Sequence, residues 1–262
     1  MSLISGLTGR WVAGQTIEDA VSSAKTANGR GLGVLFNYMG EHYRDKRKVE
    51  RVVGIYLELL ENIRAEKLRA GISLKLSEIG LEIGKGYCVK NFLEIAGRVE
   101  ELGTRVWIDM EAEHFIQDTI DIYLDCFSHF KNISITIQAN LERSLHDMKK
   151  ILEIGGRIRL VKGAYKGDFG KEEVGENFSR LMRILFSSGN NFAIGTHDEG
   201  LLREAQTLQL RYSKKFEFQF LMGVKEKLQA EMAKEYEVFQ YMPFGSEQLP
   251  YIWRRIKEQW GI

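Results

Sequence analysis

Three ionisable residues stand where apolar strands would bury them: Lys75 in ISLKL, Asp109 in VWIDME and Arg159 in RIRLVKGAY. An unpaired charge in such surroundings is costly, so each must face a partner or a polar cavity. The plain alternative for Lys75 and Arg159 is an edge or surface position, and for Asp109 a helix cap. If the two cations share one cavity, with Asp109 as counter-charge, the chemistry expected is the holding of an anion: a phosphate, a carboxylate or a reduced flavin. Lys162-Gly163-Ala164 sets small residues beside a lysine, where backbone N–H groups could approach a phosphate closely. That signal is weak alone, since glycine ends many strands.

The C-terminal stretch adds PYIWRRIKE, with Pro250 suited to a first helical position and Arg254, Arg255 and Glu258 within two turns. An arginine fork for a carboxylate and a surface ion pair with two solvated arginines both fit this pattern, and spacing alone leaves both open. Thr196-His197-Asp198 lacks a second histidine at helical spacing or a cysteine pair, so no metal site is expected. Gly84-Lys85 lacks the rest of a P-loop, and the glycines of GRGLG (29–33) precede a strand rather than follow one, so no Rossmann fingerprint is present. There is no G-x-S-x-G.

Elements able to position these residues recur along the chain. Apolar, β-branched or aromatic runs lie at 31–41, 71–81, 105–111, 133–140, 157–165, 192–198, 216–223 and 237–245, which are eight strand candidates. Amphipathic helical patterns separate them, among them 49–68, 89–103 and 144–156, the last two ending in glycine as at a C-cap. The repeating unit is about 30 residues, the size of a βα crossover. The fold expected is α/β, a (β/α)8 or TIM-like barrel, with its chemistry at the C-terminal ends of the strands. A short helix from Thr16 to about Asn28 precedes the first strand, and Thr16 with Asp19 resembles a capping box. No composition shift divides the chain, so residues 1–262 are expected to form one catalytic domain, with 1–30 an N-terminal helical segment and 31–262 the barrel.

Composition excludes several classes. The 262 residues carry 37 Lys+Arg against 36 Asp+Glu, for a net charge of +1, so a nucleic-acid partner is not expected. The basic run RDKRKVER (44–51) fits a solvated helix start. Two cysteines cannot form a disulfide framework, the N-terminus does not read as a signal peptide, and no run is long enough to span a membrane. A cytoplasmic protein is expected, with a peripheral place at the membrane as the alternative.

Taken in order, NYMGE (37–41), SLKLSEIGL (73–81), VWIDME (106–111), ITIQAN (135–140), RLVKGAY (159–165), FAIGTHD (192–198), FEFQFLMG (216–223), YMPFG (241–245) and PYIWRRIKE (250–258) strongly resemble the proline dehydrogenase family. These are FAD-dependent (β/α)8 oxidoreductases that open proline catabolism. The resemblance implies roles at the matching positions. Lys75, Arg254 and Arg255 would hold the proline carboxylate, and Tyr165 and Tyr241 would wall its ring. Asp109 would be the active-site carboxylate, and Arg159 would sit beside flavin N5. Met110, Gln138, Lys162, Gly163, Ala164, Thr196 and His197 would contact FAD, and Glu258 would help order the ribityl region. The last helix would lie across the barrel mouth.

The same resemblance implies a compact, single-function flavoprotein that oxidises L-proline to Δ1-pyrroline-5-carboxylate. Its electrons would pass to a quinone or another acceptor, and its product to a pyrroline-5-carboxylate dehydrogenase. It also implies a preference for proline over hydroxyproline, because Tyr241 is bulky where related hydroxyproline oxidisers carry a smaller residue. Asn37 stands where some relatives have an acid. Two other readings compete: a Schiff-base aldolase or lyase using Lys75 or Lys162, and a non-catalytic binding barrel.

Overall fold

The structure is a computed structural model that describes residues 9–249, 251–253 and 255. Each strand candidate forms a strand: β1 Gly33–Tyr38, β2 Ala70–Leu74, β3 Val106–Ile108, β4 Ile133–Gln138, β5 Ile158–Val161, β6 Phe192–Gly195, β7 Phe216–Leu221 and β8 Val238–Phe244. All pair in parallel with their sequence neighbours, and β8 returns to β1 to close the barrel. The TIM-like architecture expected from the alternation is the one observed.

The helices are α1 Ile17–Gly29, α2 Lys46–Ala65, α3 Lys85–Glu101, α4 Glu113–Phe127, α5 Ser144–Glu153, α6 Lys171–Ser188, α7 Glu199–Tyr212 and α8 Glu226–Met232. Thr16 caps α1 in a true capping box with Asp19, the shorter acid replacing the usual glutamate. Gly103 and Gly155 follow α3 and α5 with φ of 64° and 72°, the left-handed backbone a helix end favours.

Period-two alternation divides the strand residues between two environments. Outward side chains such as Phe36, Ile72, Ile108, Ile135, Leu160 and Phe218 join the helices in one continuous apolar layer. Inward side chains form only a small apolar plug, Leu35, Trp107, Ala193 and Phe239. Above the plug the interior is polar and buried: Ser73, Thr136, Arg159 and Gln219. A lining of this kind serves a ligand at the mouth rather than a sealed core.

The N-terminal helix takes an unexpected station. α1 packs outside the barrel against both β1 and β8, the place where a helix following β8 would otherwise complete the ring. The segment before it crosses the C-terminal ends of the strands: Ala13 N–H donates to Pro243 O (2.8 Å) and Arg10 Nε to Gly223 O (3.0 Å). Residues 251–253 and 255 are helical. There Ile252 packs with Trp11, Val12 and Met39, next to Val224 and Tyr251. Met39 follows β1 and Val224 follows β7, so this turn lies at the barrel mouth, as expected. Arg254 and Glu258 lie outside the described residues.

Candidate active site

Asp109, one residue beyond β3, is the hub of the mouth. Its Oδ1 accepts from Ser73 Oγ (2.7 Å) and forms an ion pair with Arg159 Nη2. Its Oδ2 accepts from the Tyr241 hydroxyl (2.7 Å). Arg159 is 4% exposed, and every arm of its fork is engaged. Nε and Nη2 donate to Thr136 Oγ1 (2.9 and 2.7 Å), Nη1 to Gln219 Oε1 (3.0 Å) and Nη2 to Ser73 Oγ (3.1 Å). Its guanidinium also lies 5.3 Å from the Trp107 ring centre and 5.8 Å from that of Tyr241, within cation–π range. Six strands thus fix one planar cation. Burial, with the Asp109 charge and hydrogen bond, holds the Tyr241 hydroxyl well above its ordinary pKa, so it remains a donor.

Lys75 is not within β2 but one residue past its end. Its Nζ donates to Glu78 Oε1 (3.2 Å). Burial alone would lower its pKa, but the Glu78 and Asp109 charges outweigh that and raise it. It is therefore an ammonium. Lys162 also falls just outside its strand and pairs with Asp198 (2.8 Å), itself the N-cap of α7. Tyr165 donates its hydroxyl to Glu41 Oε2 (3.1 Å). Arg255 lies 5.4 Å from the Tyr251 ring centre, and its charge is felt at His197.

The residues expected at a flavin gather on one side, at the ends of β4, β5 and β6. Gln138 Nε2 donates to Glu111 O (3.1 Å). Gly163 has φ +114°, and a Cβ there would collide with the Asn140 side chain, so only glycine fits this turn. Asn140 Nδ2 donates to Tyr165 O (2.8 Å), while its Oδ1 is buried with no partner among the described residues. Ala164 is exposed, Thr196 is buried, and Thr196 Oγ1 accepts the Asp198 N–H (3.2 Å). His197 Nε2 accepts the Leu221 N–H (2.9 Å), which leaves the ring proton on Nδ1. Burial, then the charges of Arg255 and Lys225, lowers its pKa to about 4, so it is a neutral donor at ordinary pH. Met110 buries its side chain in the outer apolar layer, leaving its backbone for contact at the mouth.

This side of the mouth suits a polar, phosphate-bearing cofactor. It offers an orphaned buried acceptor at Asn140, a glycine turn at Gly163 packed against that side chain, a neutral histidine donor and a lysine. The opposite side, formed by β8, β1 and β2, offers Tyr241 and Lys75, and Arg255 of the last helix lies near enough to His197 for its charge to be felt there. Among the described residues no cluster of His, Cys, Asp and Glu could hold a metal, and no helix is long and apolar enough to cross a membrane.

The structure also brings in residues that the charged outliers did not reveal. Ser73, Thr136 and Gln219 are ordinary polar residues, and their signal is only the alternation that turns them inward. Glu78 and Tyr56, behind Lys75, are joined by a 2.9 Å hydrogen bond.

A family model described as Proline dehydrogenase matches residues 20–168 and 170–260. Proline dehydrogenase 1 of Bacillus subtilis (strain 168) is 32% identical over 259 residues, covering 95% of this chain and 86% of that protein. Proline dehydrogenase of Deinococcus radiodurans is 29% identical over 266 residues, covering 96% and 86%. Among solved structures, proline utilization A (PutA) from Bdellovibrio bacteriovorus, inactivated by N-propargylglycine, superposes with a TM-score of 0.90 at 20% identity, over 98% of this chain. The chain spans about a third (33%) of that much longer protein, and at this identity the likeness speaks for the fold. The family match covers nearly the whole barrel, and the relatives are matched over most of their own length; the chain belongs to the proline dehydrogenase family of oxidoreductases.

Proposed function

We propose that residues 1–262 form one catalytic unit that oxidises L-proline to Δ1-pyrroline-5-carboxylate with FAD held non-covalently. The observation that carries this is the division of the mouth. An immobilised Arg159–Asp109–Tyr241 centre separates a cofactor-like side at β4–β6 from a cationic, aromatic side at β8, β1 and β2. Gln138, Lys162, Gly163, Thr196, His197, exposed Ala164 and the Met110 backbone would hold FAD, with Glu258, outside the described residues, as a further contact. Bound there, FAD supplies N5 as the hydride acceptor for the proline ring carbon beside nitrogen.

The chain's own residues set up that transfer. Lys75 with Arg254 and Arg255 clamps the proline carboxylate. Tyr241 and Tyr165 pack on the ring and exclude water. Arg159 is preplaced, at no reorganisation cost, where negative charge develops on hydride arrival. Asp109 holds Arg159 and the Tyr241 hydroxyl in place. The product is released to a downstream dehydrogenase, and the electrons go to a quinone or another acceptor. Placement in the cytoplasm, at most peripheral to a membrane, accords with this role.

The aldolase alternative needs a neutral lysine amine at the mouth, and the raised pKa of Lys75 opposes that. The purified protein should be yellow, and L-proline should bleach it without oxygen. Acid precipitation should release the flavin to the supernatant, since His197 has its Nε2 engaged by the Leu221 N–H and both cysteines are buried. A colourless protein trapped by borohydride with substrate would reverse the assignment.

Tyr241 gives a second expected outcome. Its ring would crowd an added hydroxyl and leave it unpartnered, at about 1–3 kcal/mol, or roughly 5- to 150-fold in efficiency. Comparing kcat/KM for proline and hydroxyproline should show that preference. Tyr241→Ser should narrow it, mainly by weakening proline use and admitting hydroxyproline. An unchanged ratio would remove Tyr241 as the residue that reads the ring.

A further inference from the structure

Glu78 has no part in the chemistry above, yet its carboxyl is fully buried beside the mouth. It sits in the turn after β2, where its N–H donates to Lys75 O (3.2 Å). Oε1 accepts from Lys75 Nζ at 3.2 Å, and Oε2 lies 2.9 Å from the Tyr56 hydroxyl, which reaches in from α2. Charge-assisted N–H···O bonds are usually about 2.7–2.9 Å, so the lysine contact is loose for a pair of full charges.

Counting hydrogen bonds favours a neutral carboxyl. Tyr56 Oη accepts the Tyr38 N–H (3.2 Å) and lies 3.3 Å from Ser73 O. With a proton on Glu78 Oε2 donated to Tyr56 Oη, the phenol proton goes to Ser73 O and all three contacts form at once. An ionised Glu78 takes the phenol proton for itself, leaving Ser73 O to the Asn37 amide (3.0 Å).

The surroundings push the same way. Burial drives the Glu78 carboxyl up to about 8; the Lys75 charge opposes the rise, as does Tyr56 in the arrangement where its phenol donates to the carboxylate, while Glu111 and Asp109, beyond β3, add to it. Tyr43, after β1, and Tyr241, on β8, feel its charge as well. With Glu78 neutral, the charge of Asp109 is what still favours the Lys75 ammonium, and that ammonium keeps its whole positive charge for a ligand. An ionised Glu78 would cancel that charge before substrate arrived.

We infer that Glu78 is a positioning residue for the carboxylate clamp: protonated and pinned by Tyr56, it holds the Lys75 ammonium at the mouth without cancelling its charge, and its ionisation loosens the grip on substrate. This rests on the reading of Lys75 as part of that clamp.

Proline's own amine titrates in the same range, so the probe is oxolane-2-carboxylate, which keeps the ring and carboxylate and has no amine. Its Kd for the protein as purified is measured by calorimetry between about pH 6 and about pH 10. In the wild type, Kd should be level below about pH 8 and then rise by up to tenfold per pH unit. Glu78→Gln can still donate to Tyr56 and accept from Lys75 but cannot ionise, so its Kd should stay level throughout. With Tyr56 Oη accepting the Glu78 proton, Tyr56→Phe removes a partner of the neutral form, and the rise should move to lower pH. Lys75→Met should weaken binding at every pH.

A level wild-type profile overturns the inference. So does an alkaline rise unmoved in both Glu78→Gln and Tyr56→Phe while Lys75→Met still binds weakly, a result that leaves the clamp standing. Undiminished binding in Lys75→Met overturns the clamp and the inference with it.

Discussion

Replacing Arg159 by Met is expected to slow flavin reduction by about 10²–10³-fold at saturating proline, the usual cost of removing one preorganised donor to a developing anion. Methionine fills much of the volume between Trp107 and Tyr241 and removes only the fork. The proline carboxylate is assigned to other cations, so substrate affinity should change far less than turnover. That split separates charge stabilisation from binding. Arg159→Lys keeps the charge but cannot reach Thr136, Gln219 and Ser73 together, and it should fall between wild type and Met. Stopped-flow flavin reduction on folded protein decides the matter: a rate equal to wild type for Met removes Arg159 from the hydride-transfer step.

Asp109→Ala should be the most destabilising single change at the mouth. It strips the partner from a buried guanidinium, and the acceptor from Ser73 and from Tyr241. Orphaning one half of a buried pair costs about 3–5 kcal/mol. At about 2–4 °C per kcal/mol for a chain near this size, the melting temperature should drop by roughly 6–20 °C. Turnover should fall as well, because Arg159 and Tyr241 lose their common anchor. The double variant Asp109→Ala/Arg159→Met leaves no unpaired charge, so its loss in stability should be smaller than the sum of the two single losses. Thermal melts of the four proteins measure this, and strict additivity would mean that the pair does not stabilise the fold through charge.

The strands were legible because each is a short β-branched or aromatic run, and the helices because their apolar stripes recur at helical spacing. The strand ends were less so. The run at 71–81 reads as one apolar stretch, but β2 stops at Leu74, where the chain turns through Lys75–Glu78 to put both side chains at the mouth. Asp109 and Arg159 were visible as charges in apolar surroundings. Their partners were not, because Ser73, Thr136 and Gln219 are unremarkable until closure of the ring turns all three inward. Glu78 stands at a strand end as many surface glutamates do, and only Tyr56, arriving from a helix, makes it a buried acid. The place of α1 was also hidden: a capping box marks where a helix begins but says nothing of which neighbours it covers.

That place bears on how the molecule is built. The first strand of the barrel finds its second neighbour only in the eighth, nearly the whole chain later, and α1 covers that last seam. Loop-closure entropy and long sequence separation make such pairings late and slow. Until the seam forms, β1 has an open edge with unpaired backbone groups, and Tyr241 cannot reach Asp109 across the lumen. A partly assembled chain is therefore both catalytically silent and adhesive. A ligand that needs both sides of the mouth binds only the finished ring, and by mass action it would draw the assembly forward.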